Sequence, residues 1–227
     1  MARLEQIIEK RKVRLVPDSE LSPDVPEGPG DADWHRRARA EAALKRWDAA
    51  TPPRFRRAEA TVPAVRAWAD RVVEDPSAAD ALLLTGPTGT GKTHQAYGAL
   101  KRIASSGPDR FELIGTNSAD MYGSLRPSEV TGSSERELRR LSTVRLLLVD
   151  DFGTAKASEW VEEQTYRLIN HRYNHCLPTI LTSNLPARDD NGPDLTDFVG
   201  DRIASRLAQM VTVVPMVGED LRRAGVA

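Results

Sequence analysis

Lys92 and Thr93 close an eight-residue run, Gly86-Pro87-Thr88-Gly89-Thr90-Gly91-Lys92-Thr93, that satisfies G-x-x-x-x-G-K-[ST] at every fixed position. Each residue type has a physical task. Glycines let the backbone wrap so that successive N–H groups converge on an anion. A helix opening at Lys92 would add the positive end of its dipole. Lys92 would reach the β- and γ-phosphates of a nucleotide, and Thr93 would offer its hydroxyl to Mg²⁺. An apolar strand before the run (Ala81 to Thr85) and a helix after it (Lys92 to Ser105) supply the context the motif requires.

Three further groups could complete a phosphate-handling site. Leu146-Leu147-Leu148-Val149-Asp150-Asp151 is a buried strand ending in two carboxylates. Asp150 would hold Mg²⁺ and Asp151 would polarise the attacking water. Asp150-Asp151-Phe152-Gly153 also fits the D-x-x-G of GTPases, but no N-K-x-D is present to read guanine, so the acidic pair points to ATP. Thr182-Ser183-Asn184 follows another apolar strand, where Asn184 could orient the water. Arg202 and Arg206 stand four apart on one helix face, and an arginine supplied across a subunit interface can neutralise charge on phosphate.

The elements that must position these groups alternate from Ala81 onward. Strands are expected at Ala81 to Thr85, Arg110 to Thr116, Val144 to Val149, Thr179 to Thr182 and Val211 to Val214. Helices are expected at Lys92 to Ser105, Ala119 to Leu125, Glu135 to Leu141, Glu159 to Cys176 (capped by Ser158) and Asp201 to Met210, with a short helix closing the chain after Val214. Continuous apolar strands separated by helices argue for an α/β fold, a parallel sheet covered on both faces. Before it, a short charged helix (Leu4 to Leu15), a Pro/Gly/Asp-rich linker (Pro17 to Asp33), a basic helix (Trp34 to Asp48) and a helix with Val65, Trp68, Ala69 and Val72 on one face (Val62 to Val73) are read. The division expected is a helical, partner-binding extension with its linker over 1–60 and an ATPase domain over 61–227.

Composition sets bounds on the rest. Of 227 residues, 40% are hydrophobic and 29% charged, with a formal net charge of -1, so nucleic acid must be met by local patches such as Arg136, Arg139 and Arg140, or the basic helix from Arg36 to Arg46. A single cysteine, Cys176, excludes an internal disulfide. No run is apolar enough to span a bilayer and no signal peptide is seen, which predicts a cytoplasmic protein without a membrane partner. His171 and His175 have the spacing of a metal pair but no evident third ligand, and are read as helix-surface residues.

Taken together, GPTGTGKT, LLLVDDFG, TSN, GDRIASRL and GEDLRR resemble the AAA+ ATPases of the DnaC/IstB type, helicase loaders and transposase helpers, over roughly Ala81 to Arg223. The resemblance implies a P-loop NTPase (AAA+) fold with a five-stranded parallel sheet and a reduced or absent C-terminal lid. It implies that Asn184 acts as sensor 1, Arg206 as an arginine finger acting in trans within a homo-oligomer, and Arg222 as the sensor 2 arginine. It implies ATP and Mg²⁺ as cofactors. The leading expectation is an ATPase that loads a replicative helicase onto single-stranded DNA. The alternatives are a transposase helper on duplex DNA and a slowly hydrolysing nucleotide switch.

Overall fold

The computed structural model describes residues 32–127, 132–154, 158–189, 191–218 and 220–221. The expected helix at Leu4 to Leu15 and most of the linker lie outside these residues, as does Arg222. A compact unit runs from Arg36 to Ala227, separate from Met1–His35.

Five parallel strands form one sheet in the order β2-β3-β4-β1-β5. They are β1 (Ala81–Thr85), β2 (Leu113–Asn117), β3 (Leu146–Asp150), β4 (Thr179–Ser183) and β5 (Val211–Pro215). The central strands β1 and β4 are buried along their whole length. That is why their sequences run apolar without alternation: both faces of a parallel sheet are covered.

Strand parity divides the core in two. Leu82, Leu84, Leu146, Leu148 and Ile180 join one cluster with Val65, Trp68, Ala96, Leu100 and Ile103. These last lie on α2 (Pro63–Glu74) and α3 (Lys92–Ser105). Ala81, Leu83, Leu147, Val149 and Leu181 join the other, against α4 (Ser118–Leu125), α5 (Ser133–Thr143), α6 (Glu159–Asn174), α7 (Leu195–Val199) and α8 (Asp201–Met210). Alternate side chains of a strand point to opposite faces, so Asp150 and Thr182 share the α3 face with Leu148 and Ile180. No helix follows β5 among the described residues. The fold expected from sequence, with five parallel strands, flanking helices and a helical N-terminal extension, is the fold observed.

The boundary expected at residue 60 falls inside one packed unit. The helix α1 (Ala32–Ala50) has a sparse apolar pattern, yet Ala43 and Trp47 are buried in the same core as α3. The Trp47 indole N–H donates to the Tyr97 carbonyl (3.1 Å), and Arg39 Nε donates to the Gly107 carbonyl (2.9 Å). Phe55, in a short 3₁₀ turn, stacks on the Tyr97 ring at 5.1 Å. Gln95 fastens the next segment by accepting the N–H groups of Thr61 and Val62. Residues 36–62 therefore brace the helix that carries Lys92 and Thr93. Local periodicity could not show this, because each of these contacts spans 33 residues or more.

Arg172 on α6 is fully buried, and none of its hydrogen-bond partners among the described residues is a carboxylate. Its guanidinium is spent on the carbonyls of Leu141, Ser142, Val144 and Pro178 and the Thr179 hydroxyl. It pins the end of α5 and the start of β4, which satisfies carbonyls that would otherwise be orphaned at a buried helix end.

Candidate active site

The loop from Gly86 to Gly91 turns from β1 into α3 through three glycines with positive φ, at 139°, 89° and 88° for Gly86, Gly89 and Gly91. Gly91 is the N-cap of α3, and no side chain caps that end. The first amides of a 14-residue helix are thus left for an anion, and the helix dipole favours one there. Lys92 is buried, its ammonium donating to the carbonyls of Gly86 (2.7 Å) and Pro87 (2.8 Å). A buried ammonium beside uncapped helix amides fits a polyphosphate. Thr88 is exposed, and Thr90 closes the loop by donating to the Pro87 carbonyl at 2.9 Å.

Asp150 lies against this loop. Thr93 Oγ1 donates to its two carboxylate oxygens at 2.9 and 3.1 Å. Thr182 Oγ1 donates to Oδ1 at 2.5 Å. The carboxylate and the Thr93 hydroxyl converge from β3 and α3, a hard oxygen pair suited to Mg²⁺. Burial pushes the Asp150 carboxyl above its usual range. The Thr182 and Thr93 hydroxyls oppose this, and the neighbouring Asp151 adds to it. An acid raised on folding binds its proton more tightly in the folded state, so its ionised form at neutral pH costs stability that returns as pH falls through the raised value. Asp150→Asn is therefore expected to raise the thermal midpoint of the nucleotide-free protein at pH 7 by about 2–4 °C, the size of a 1 kcal/mol change in a chain of this length. It should also remove the added protection that Mg²⁺ gives over ATP alone. Thermal scans in EDTA, with ATP, and with ATP and Mg²⁺ test both, and a lowered midpoint in EDTA counts against the reading.

Asp151 has φ 52°, unusual for a residue with a side chain. The conformation is held from three sides. Its N–H donates to Thr182 Oγ1 (3.1 Å), its carbonyl accepts from Ser118 Oγ (2.9 Å), and Phe152 N–H donates to the Thr182 carbonyl (2.7 Å). The backbone is fixed while the side chain is exposed beside Asp150.

Thr182 is the residue that sequence reading passed over. It was noted only as the first member of Thr182-Ser183-Asn184, yet it contacts both Asp150 and Asp151. Strand parity was the available signal. Asn184 lies one residue beyond β4 and is exposed, outside the hydrogen-bonded cluster. The strand after Thr182 also holds the loop: Gly86 N–H donates to the Ser183 carbonyl at 3.2 Å.

The segment after β5 returns to the loop. Met216 N–H donates to the Thr85 carbonyl (2.6 Å) and Leu221 N–H to the Gly89 carbonyl (3.0 Å). The approach is close enough that a Cβ on Gly86 would stand 2.0 Å from the Met216 carbonyl oxygen.

The two arginines of α8 differ. Arg206 is half-buried and engaged within its own chain: Nε donates to Asn170 Oδ1 (3.0 Å), Nη2 to the Tyr166 hydroxyl (3.1 Å), Nη1 to the Arg202 carbonyl (3.1 Å), and the guanidinium lies 4.7 Å from the Tyr166 ring centroid. Arg202 is exposed, one turn nearer the start of the helix, with no side-chain partner among the described residues. His171 and His175, the C-cap of α6, stack at 4.1 Å on the sheet face opposite α3 and its phosphate loop.

Comparison with known proteins finds ATP-binding proteins among the relatives of this chain. An ATP-binding protein in an insertion sequence of Mycobacterium tuberculosis is 27% identical over 190 residues, covering 82% of this chain and 71% of that protein. The ATP-binding protein of an insertion sequence from Pseudomonas fluorescens is 34% identical over 47% of this chain and 44% of its own length. The replicative helicase loader DnaC of Escherichia coli is 27% identical over 55% of this chain and 49% of that protein. The chain thus spans about half the length of several relatives it matches. Among solved structures, DnaI superposes with a TM-score of 0.60 at 19% identity, covering 78% of this chain and 99% of that one, and the DnaC helicase loader with 0.59 at 22% over 73% and 100%. At such identity these establish the fold. The family described as IstB-like ATP binding protein matches residues 72–225, two thirds of the sequence, and the chain belongs to that family.

Proposed function

We propose that the protein is an Mg²⁺-dependent ATPase that works as an oligomer in the cytoplasm and acts on DNA together with a partner protein. The observation that carries this is the convergence of Asp150, Thr93 and buried Lys92 at the uncapped start of α3. The metal, once bound, would supply charge neutralisation between the β- and γ-phosphates. Thr93 and Asp150 would hold it, Lys92 and the loop amides would hold the phosphates, and Asp151, exposed on a fixed backbone, would orient the attacking water. Asn184 would assist from the end of β4. Arg222 follows Leu221, whose N–H is already on the loop, and is assigned the sensor 2 role. The trans-acting role is assigned to Arg202 in place of Arg206, because Arg206 is already satisfied inside its own chain.

The partner favoured is a transposase, on duplex DNA. The family match and the insertion-sequence origin of the relatives support it over the helicase loader put first from sequence alone. The DnaC match keeps a replicative helicase on single-stranded DNA as the second reading. A pulldown from the native host, with the full chain and with residues 1–35 removed, separates them. Because α1 is part of the packed unit, the cut belongs before Arg36 and not at Pro53. The expected result is a transposase retained by the full chain and lost on truncation, with ATP binding kept. Recovery of a replicative helicase selects the loader. ATP hydrolysis that stays at background with DNA and partner present leaves only the nucleotide switch.

A further inference from the structure

We infer that the protein grips a nucleic-acid phosphate backbone in a groove at the outer edge of the sheet, at the end opposite the nucleotide loop. This rests on the DNA reading above and places it on residues. The groove, about 580 Å³, runs beside β2, which is an edge strand, and Arg46 of α1 and Arg140 of α5 both line it. These two arginines are 94 residues apart in sequence, and only the fold brings the basic helix and the α5 arginine cluster to one surface.

Two more exposed arginines adjoin its lining residues in sequence. Arg110 directly precedes Phe111 and Arg145 directly follows Val144, both lining residues. Their segments are tied together by Leu146 N–H donating to the Glu112 carbonyl at 3.0 Å. Arg110 and Arg145 are exposed and have no partner among the described residues. Arg46 is fixed by one bond to the Phe111 carbonyl (3.3 Å), which leaves most of its five donors unused.

The acids nearby offset only part of this charge: Glu137 pairs with Arg140, while no acid pairs with Arg46, Arg110 or Arg145 among the described residues. Asp109 is engaged by Arg39 at 3.4 Å and Glu137 by Arg140 at 2.8 Å. Glu112 alone lines the groove as an acid. Two arginines lining the groove and two more next to its lining residues suit a row of phosphates, and the mixture of fixed and free guanidiniums suits contact without base reading. The site sits at the strand starts, whereas Lys92, Thr93 and Asp150 sit at the strand ends or beyond, so the two ligands do not compete.

The test uses the full chain and fluorescein-labelled 30-mers, single-stranded and duplex, titrated from about 50 to 200 mM salt, where phosphate contacts are most visible. Arg110→Glu combined with Arg145→Glu, both exposed side chains outside the ATP site, should weaken binding at least ten-fold and flatten the slope of log K against log salt by about 2. ATP binding should be unchanged. Arg110→Gln with Arg145→Gln, which adds no new charge, should give a smaller loss in the same direction. Parent-like affinity and slope in both double variants overturn the groove and leave the DNA reading standing. A parent chain that holds neither oligonucleotide overturns both. Capture of poly-glutamate, lost in the variants, with no capture of DNA assigns the groove to an acidic protein and overturns the inference.

Discussion

Asp151→Asn is expected to bind ATP within about three-fold of the parent and to hydrolyse it 10²–10⁴ times more slowly, the range that removing a positioned proton acceptor costs. That is about 3–5 kcal/mol of barrier at 1.36 kcal/mol per decade. The argument is geometric. The Asp151 backbone is locked by Thr182, Ser118 and Phe152. The substitution changes neither size nor that backbone, and Asn tolerates the left-handed region as well as Asp does. What disappears is the one charge on an exposed side chain beside the half-buried Asp150. The contrast with Asp150→Asn makes the test specific, because there the Mg²⁺-dependent protection should go as well. Single-turnover hydrolysis with saturating ATP, alongside a nucleotide-binding titration, reads both quantities. If Asp151→Asn turns over at the parent rate, the water is activated from elsewhere, and Asn184 becomes the next residue to replace.

The phosphate loop and the strand ending in Asp150 were legible because their signals are local. A loop motif is eight consecutive residues, and a buried strand is a run of leucines. Asp201 to Met210 was legible for the same reason, with a strong apolar stripe in ten residues. The failures share a cause. Thr182 reads as one more β-branched strand residue, and its value appears only when β4 is placed beside β3, 32 positions away. α1 reads as a free basic helix because two buried side chains, Ala43 and Trp47, do not make a stripe. Its docking depends on Arg39, Arg46 and Trp47 reaching backbone carbonyls 50 to 68 residues away. β2 begins at Leu113 and not Arg110, since Phe111 is already buried in the core ahead of the ladder. The short α7 was missed although Asp194 and Asp197 form a reciprocal cap around its first turn. Capping by Asp-x-x-Asp is a local signal, and it could have been read.

Arg202→Ala is expected to bind ATP normally and to lose hydrolysis by about 10³–10⁵, the worth of an arginine supplied in trans. Sequence resemblance pointed to Arg206, so the two must be separated. An arginine that acts on a neighbour's phosphate has to be free to leave its own subunit. Arg206 would first give up hydrogen bonds to Asn170 and Tyr166 and its place over the Tyr166 ring, all of which join α8 to α6. Arg206→Ala should therefore lower the thermal midpoint, by breaking that junction, and any loss of activity should follow the loss of stability. Arg202→Ala breaks nothing visible and should leave the midpoint alone. Mixing then reports on trans action. Arg202→Ala retains an intact loop, and Lys92→Ala retains an intact Arg202. Each is inactive by itself, yet a mixed interface joins the good half of each, and part of the activity should return. The parent's specific activity should also rise with protein concentration, because the site is complete only between subunits. If Arg202→Ala hydrolyses like the parent, while Arg206→Ala is inactive at an unchanged midpoint and is rescued by Lys92→Ala, the finger is Arg206 and the contacts on α6 must open during assembly. If neither mixture recovers activity and dilution has no effect, the site is complete within one chain and no arginine acts across an interface.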